Sequence, residues 1–172
     1  MSKKLILLDA YALIYRAHFA FIKNPRINSK GLNTSAIFGF CNSLLEVTNK
    51  FDPSHIGVVF DPPGGSDREG VFADYKANRQ EMPEDIRKAI PHIFDLLKAM
   101  NIKVEMEEGF EADDVIGTLA KQAEKKGFET YMMTPDKDFG QLVSDHIFIY
   151  KPGRSGNPSE ILGPKEVCEK FE

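Results

Sequence analysis

KLILLDAYALIYRAHFA, residues 4–20, joins two different patterns. Leu5 to Leu8 form an unbroken apolar run that closes on Asp9, the signature of a short strand buried on both faces. From about residue 11 the apolar side chains recur at helical spacing, so a strand feeds straight into a helix. Four more apolar runs follow: HIGVVFD at 55–61, IKVEM at 102–106, ETYMMT at 129–134 and HIFIY at 146–150. Helical patterns around residues 35–50, 84–100 and 112–126 separate them. This alternation predicts an α/β fold with a mostly parallel central sheet flanked by helices. Pro91 falls inside the 84–100 pattern and is expected to kink or split that helix.

With 172 residues, 42% of them hydrophobic, the chain can bury a substantial core and reads most simply as one domain, 1–172. The run before Asp9 is too short for a signal peptide or a membrane span, which points to a cytoplasmic protein with no membrane partner. Cys41 and Cys168 match neither a zinc-ligand spacing nor a disulfide framework, and the four histidines are scattered. The net charge of −4 is unevenly spread. Residues 1–30 carry a net +5, and residues 103–114 a net −5. Separate basic and acidic zones suit a surface that holds a polyanion on one and cations on the other.

Periodicity lapses between Asp61 and Pro83, where turn residues give way to mixed charge without a steady apolar face; a loop of this length is often functional. The tail combines a turn-rich connector with a short helical pattern that has Pro164 near its start.

GFEADDVIGTLA, residues 109–120, places three carboxylates within four positions. Acids are favoured in the first turn of a helix, where they meet the positive end of its dipole, and that alone accounts for them locally. Elsewhere, however, the residues after the apolar runs are also acidic. Asp9 ends the first, Asp61 ends HIGVVFD, and Asp136 and Asp138 follow ETYMMTP. Ligands of open parallel sheets bind beyond the carboxyl ends of the strands, which is where these acids fall. Held together without cations they repel one another and raise their own pKa values. Hard divalent ions resolve that conflict, and two ions about 4 Å apart can activate water and stabilise a leaving oxygen in phosphodiester hydrolysis.

LLDAYALIYRA, NTSAIFGF, VVFD, DYKANR, MPEDIR, GFEADD and TPDKDFGQLV occur in the order and spacing of the 5′-nuclease domain found at the N-terminus of bacterial DNA polymerase I, and the chain resembles that family over nearly its whole length. The resemblance implies a PIN-like (5′-nuclease) fold and a 5′–3′ exonuclease or flap endonuclease acting in replication and repair. The cofactor implied is Mg2+ or Mn2+, as two ions, and the substrates are DNA with a 5′ flap or nick and RNA primer–DNA junctions. It assigns Asp9, Asp61, Glu111, Asp113, Asp114, Asp136 and Asp138 to the metal site. Lys76 and Arg79 match catalytic basic residues near the scissile phosphate; Arg16, Arg68, Tyr75, Lys76 and Arg79 match nucleic-acid contacts. It also places residues 66–90 in an arch over the site.

The chain departs from the family at Asp67-Arg68-Glu69-Gly70, where the family reads Phe-Arg-His-Glu, and at Ala10, often Gly. The family's next acidic loop and its helix-hairpin-helix element lie past residue 172. The expectation is therefore an N-terminal portion of a longer chain that carries a C-terminal polymerase. Two other readings remain open at this point. A stand-alone PIN-type ribonuclease would use a similar acid cluster without DYKANR, and a non-catalytic nucleic-acid-binding domain would use none of it for chemistry.

Overall fold

The computed structural model describes residues 3–63, 81–153 and 157–171. Strand β1 (Lys3–Asp9) runs into helix α1 (Ala10–Ala20), and Asp9 caps that helix by accepting a hydrogen bond from the Ala12 amide. Helix α2 (Ser35–Phe51) leads to β2 (His55–Val59) through Asp52 in the left-handed region. Helix α3 (Glu84–Ala99), β3 (Lys103–Glu105), α4 (Ala112–Lys125) and β4 (Phe128–Met133) follow. A 3-10 turn (Lys137–Leu142), β5 (Ile147–Lys151), β6 (Glu160–Leu162) and α5 (Pro164–Phe171) complete the described chain.

The strands form one sheet in the order β3-β2-β1-β4-β5-β6, parallel except for β6. Every predicted strand is present, and the mostly parallel sheet is as expected. β6 is an addition: its three residues, at the sheet edge and largely exposed, leave no apolar run to read. The interior strands alternate between two cores. Ile6, Leu8, Val58, Tyr131, Met133 and Tyr150 face α1, α2 and α3, while Leu7, Val59, Met132, Ile147 and Ile149 face α4.

Pro91 does not split its helix. α3 runs unbroken from Glu84 to Ala99 although Pro91 offers no N–H to the Arg87 carbonyl, a loss of roughly 3 kcal/mol. Ile86, Ala89, Ile93 and Leu97 are wholly buried on both sides of the proline, so packing of one face holds the helix together. The first turns of α3 also take in residues 84–90, the end of the region expected to arch over the site; residues 66–80 of that region lie outside the described residues. Among the described residues no helix is long and apolar enough to cross a membrane.

Gly39 sets how closely α1 and α2 approach, since a Cβ there would meet the Ala17 Cβ at 2.5 Å. Gly39→Ala is expected to destabilise the fold by about 1–3 kcal/mol. Thermal denaturation checks this, with an expected fall in Tm of roughly 2–4 °C per kcal/mol for a domain this size.

Candidate metal centre and family

The chain winds outward from β1 through β2 to β3, then crosses back to place β4 on the other side of β1 and continues to β5, so the strand order reverses between β1 and β4. This switch point opens a crevice at the carboxyl ends of β1 and β4. Asp9 closes β1, Asp61 lies two residues past β2, α4 presents its N-terminus, and Asp136 follows β4.

Asp9 is 92% removed from solvent, and each of its oxygens has a partner: Oδ1 accepts from Ala12 N at 3.1 Å and Oδ2 from Thr134 Oγ1 at 3.3 Å. Burial pushes its pKa up to about 6. The Ala12 and Thr134 hydrogen bonds work against that rise, whereas the charges of Asp61 and Asp136 add to it. Thr134 is itself wholly buried, and its oxygen accepts from Asp136 N at 3.2 Å, so one hydroxyl ties the end of β4 to both acids. Sequence reasoning did not single out Thr134; its place at the end of an apolar run, two residues before an acid, was the available signal.

Asp61 Oδ1 accepts from Ala112 N at 2.7 Å, which couples β2 to the first turn of α4. Glu111, also buried, precedes that helix, and its amide donates to Asp114 Oδ2 at 3.3 Å. The neighbouring acids thus have different tasks: Asp114 turns back to cap the helix, whereas Asp113 faces the other carboxylates. Burial pushes the Asp113 pKa up to about 7, with Asp9, Asp136, Asp61 and Glu111 adding to it in that order. The helix-dipole reading and the cluster reading therefore both describe α4. Asp136 Oδ1 accepts from Asp138 N at 2.9 Å to start the 3-10 turn, and Asp138 itself is exposed.

Five of the seven predicted acids therefore sense one another electrostatically around Asp113, while Asp114 and Asp138 stand at the margin. Among the described residues no group of three or more Asp, Glu, His or Cys side chains is close enough to hold one ion by direct ligation alone. The donor set is nonetheless all carboxylate oxygen and strained by its own charge. It fits ions such as Mg2+ that keep several waters and take only one or two carboxylates directly.

Arg16, on α1, donates through Nη2 to the carbonyls of Pro152 and Gly153 at 3.1 and 2.6 Å. These bonds tie α1 to the turn after β5. Arg16 also borders a groove of about 780 Å³ that reaches Pro135, next to Asp136. Arg68, Tyr75, Lys76 and Arg79 lie outside the described residues.

The profile of the family described as 5′-3′ exonuclease, N-terminal resolvase-like domain, matches residues 4–172. The chain belongs to that family. It is 43% identical to DNA polymerase I of Chloroflexus aurantiacus over 91% of its length and 17% of that protein's. Against DNA polymerase I of Bacillus subtilis it is 39% identical over 98% of the chain and 19% of the relative. It is 38% identical to a 5′-3′ exonuclease of Aquifex aeolicus, covering 98% of the chain and 56% of that protein. The chain thus spans less than a fifth of these polymerases and about half of the exonuclease.

Among solved structures, T5 5′-exonuclease with divalent zinc ions bound superposes with a TM-score of 0.72 at 16% identity, over 98% of this chain and 60% of that one. The catalytic core of Rad2 in complex with DNA substrate gives a TM-score of 0.56 at 19% identity, over 98% and 50%. At such identities the likeness shows the fold, which is that of the 5′-nucleases, as the sequence motifs predict.

Proposed function

We propose that this chain is the metal-dependent catalytic part of a 5′–3′ exonuclease and flap endonuclease that hydrolyses phosphodiester bonds in DNA and primer RNA. Convergence of Asp9, Asp61, Glu111 and Asp136 on Asp113 carries this reading, because cations beside such a set relieve its mutual repulsion while leaving the acids ionised. Family membership and the exonuclease names of its relatives support it. The ions proposed are two Mg2+ or Mn2+, and the substrates are a 5′ flap, a nick or an RNA primer–DNA junction. Residues 1–172 are read as one domain of a longer chain with a C-terminal polymerase portion, as in the DNA polymerase I relatives.

When bound, such ions polarise the scissile phosphate and supply a water activated near neutral pH. The chain's own residues prepare the place. Thr134 and the Ala12 amide fix the Asp9 carboxylate, and the Asp61–Ala112 bond sets the first turn of α4 against β2. Asp113 would give up its proton in holding a cation, and Glu111 adds its negative charge to the same cluster. Lys76 and Arg79 bring positive charge to the phosphate, Lys76 at the reacting group and Arg79 beside it, with Arg16, Arg68 and Tyr75 along the substrate strand.

Two experiments follow. Cleavage of a 5′-flap DNA duplex compared with unstructured RNA at equal Mg2+ tests the substrate class: faster flap cutting is expected, and preference for RNA overturns the DNA reading. Separately, Lys76→Ala is expected to lower the single-turnover rate by about 100-fold, the loss seen when one preorganised charge-stabilising donor is removed, with little effect on DNA affinity. Arg79→Ala is expected to weaken binding more than it slows cleavage. Equal small effects on both quantities would make both residues ordinary solvated charges.

A further inference from the structure

Carboxylates only accept hydrogen bonds once ionised, and so do the non-bridging oxygens of a phosphodiester. A site made of acids therefore needs a donor that adds no negative charge. Tyr11 is placed to be one. It lies on the first turn of α1, two residues past Asp9, with its ring edge-on to Phe60 at 5.5 Å and 84°. Phe60 precedes Asp61 and is stacked on Phe94 of α3 at 4.5 Å, so the phenol is held from one side by a rigid aromatic pair. The ring is half-buried, and its hydroxyl has no hydrogen-bond partner among the described residues. Its proximity to the cluster is felt electrostatically, since burial and then the Asp61 charge push the phenol's pKa up. Thr134, a buried hydroxyl at the site, is already committed to Asp9.

We infer that Tyr11 positions the substrate, donating its hydroxyl hydrogen to a non-bridging oxygen of the phosphate held at the acid cluster. The inference rests on reading that cluster as a phosphodiesterase site. Tyr11→Phe keeps the ring and its packing on Phe60 and removes only the donor, so Tm and the Mn2+-induced rise in Tm are expected to stay at wild-type values.

The test compares wild type and Tyr11→Phe on a 5′-flap duplex, measuring single-turnover rate in Mg2+ and affinity in Ca2+ by fluorescence anisotropy. The variant should lose about tenfold or more in rate and in affinity, as a hydrogen bond to a charged group implies. With a methylphosphonate at the scissile position, which removes one acceptor oxygen, the affinity difference between the two proteins should shrink to near one, because both changes delete the same contact. Equal rates and affinities on the ordinary duplex would overturn the inference. So would a tenfold affinity difference that persists on the methylphosphonate, or a changed Mn2+ response with DNA affinity intact, which would make Tyr11 a support for Asp61. Failure of the wild type to cut the duplex at all would instead overturn the nuclease reading itself.

Discussion

Asp113→Asn is expected to do two opposite things: slow cleavage severely and make the metal-free protein more stable. Asp113 is the acid on which Asp9, Asp136, Asp61 and Glu111 all press, and its pKa near 7 means that ionising it in the fold is unfavourable. Replacing it with a neutral side chain of the same shape relieves that repulsion. Because Asp113 is partly solvated, the gain is taken as about 1–2 kcal/mol, well short of a full conversion of the shift. Denaturation at pH 8 in EDTA reads it as a Tm increase of a few degrees, roughly 2–4 °C per kcal/mol. The same substitution removes charge that holds cations at the site, so the cleavage rate should fall by about 100-fold to 10,000-fold, corresponding to several kcal/mol of lost charge stabilisation. An exposed acid such as Asp145, replaced by Asn, should leave both quantities unchanged. A variant that is less stable than wild type in EDTA would mean that Asp113 is held by favourable bonds, contrary to this account.

The second large effect is the dependence of stability on pH and on divalent metal. Asp9 and Asp113 have folded pKa values of about 6 and about 7, both above the ordinary carboxylate value of 3.8. Between those limits the folded chain holds more protons than the unfolded one, so raising the pH favours unfolding. Metal-free protein is therefore expected to lose stability from about pH 4 to about pH 7 through these two groups, with no further loss from them above that range. Cations reverse the trend, since they bind the deprotonated acids and bind more tightly as the pH rises through 6 and 7. At ten times its dissociation constant a divalent ion should add about 1.4 kcal/mol. Mn2+ should act at lower concentration than Mg2+, as the usual affinity order implies. Melting curves in EDTA and in Mn2+ at several pH values check this; parallel curves with no metal-induced rise would contradict an assembled site.

Much of this arrangement is legible in the sequence because parallel strands buried on both faces must be continuous apolar runs, and the acids fall in the segments that follow them. KLILLD ending in Asp9 is both a strand and half of a site. Other features depend on what meets in space. Adjacent acids on a helix point about 100° apart, yet nothing in the letters of Asp113-Asp114 says which turns inward; the Glu111 amide decides it by claiming Asp114. Pro91 predicts a break that the buried face of α3 overrides. Thr134 looks like an ordinary strand-end residue until Asp9 and the Asp136 amide are seen to meet its hydroxyl. Arg16 resembles a phosphate contact by motif, and in the fold its guanidinium also fastens α1 to the turn after β5. β6 is too short and too exposed to leave a pattern.

The central claim is that the carboxylates at the switch point of the sheet hold the ions that cut phosphodiester bonds. The most direct test is single-turnover cleavage of an end-labelled 5′-flap duplex by this chain, in excess and at low salt, across a Mg2+ titration that starts from EDTA. The account predicts no product in EDTA, a rate that climbs with Mg2+ and saturates, and a rate lower by about 100-fold or more at every Mg2+ concentration with Asp113→Asn. Cleavage that is indifferent to Mg2+, or that runs at the wild-type rate in Asp113→Asn, would contradict it.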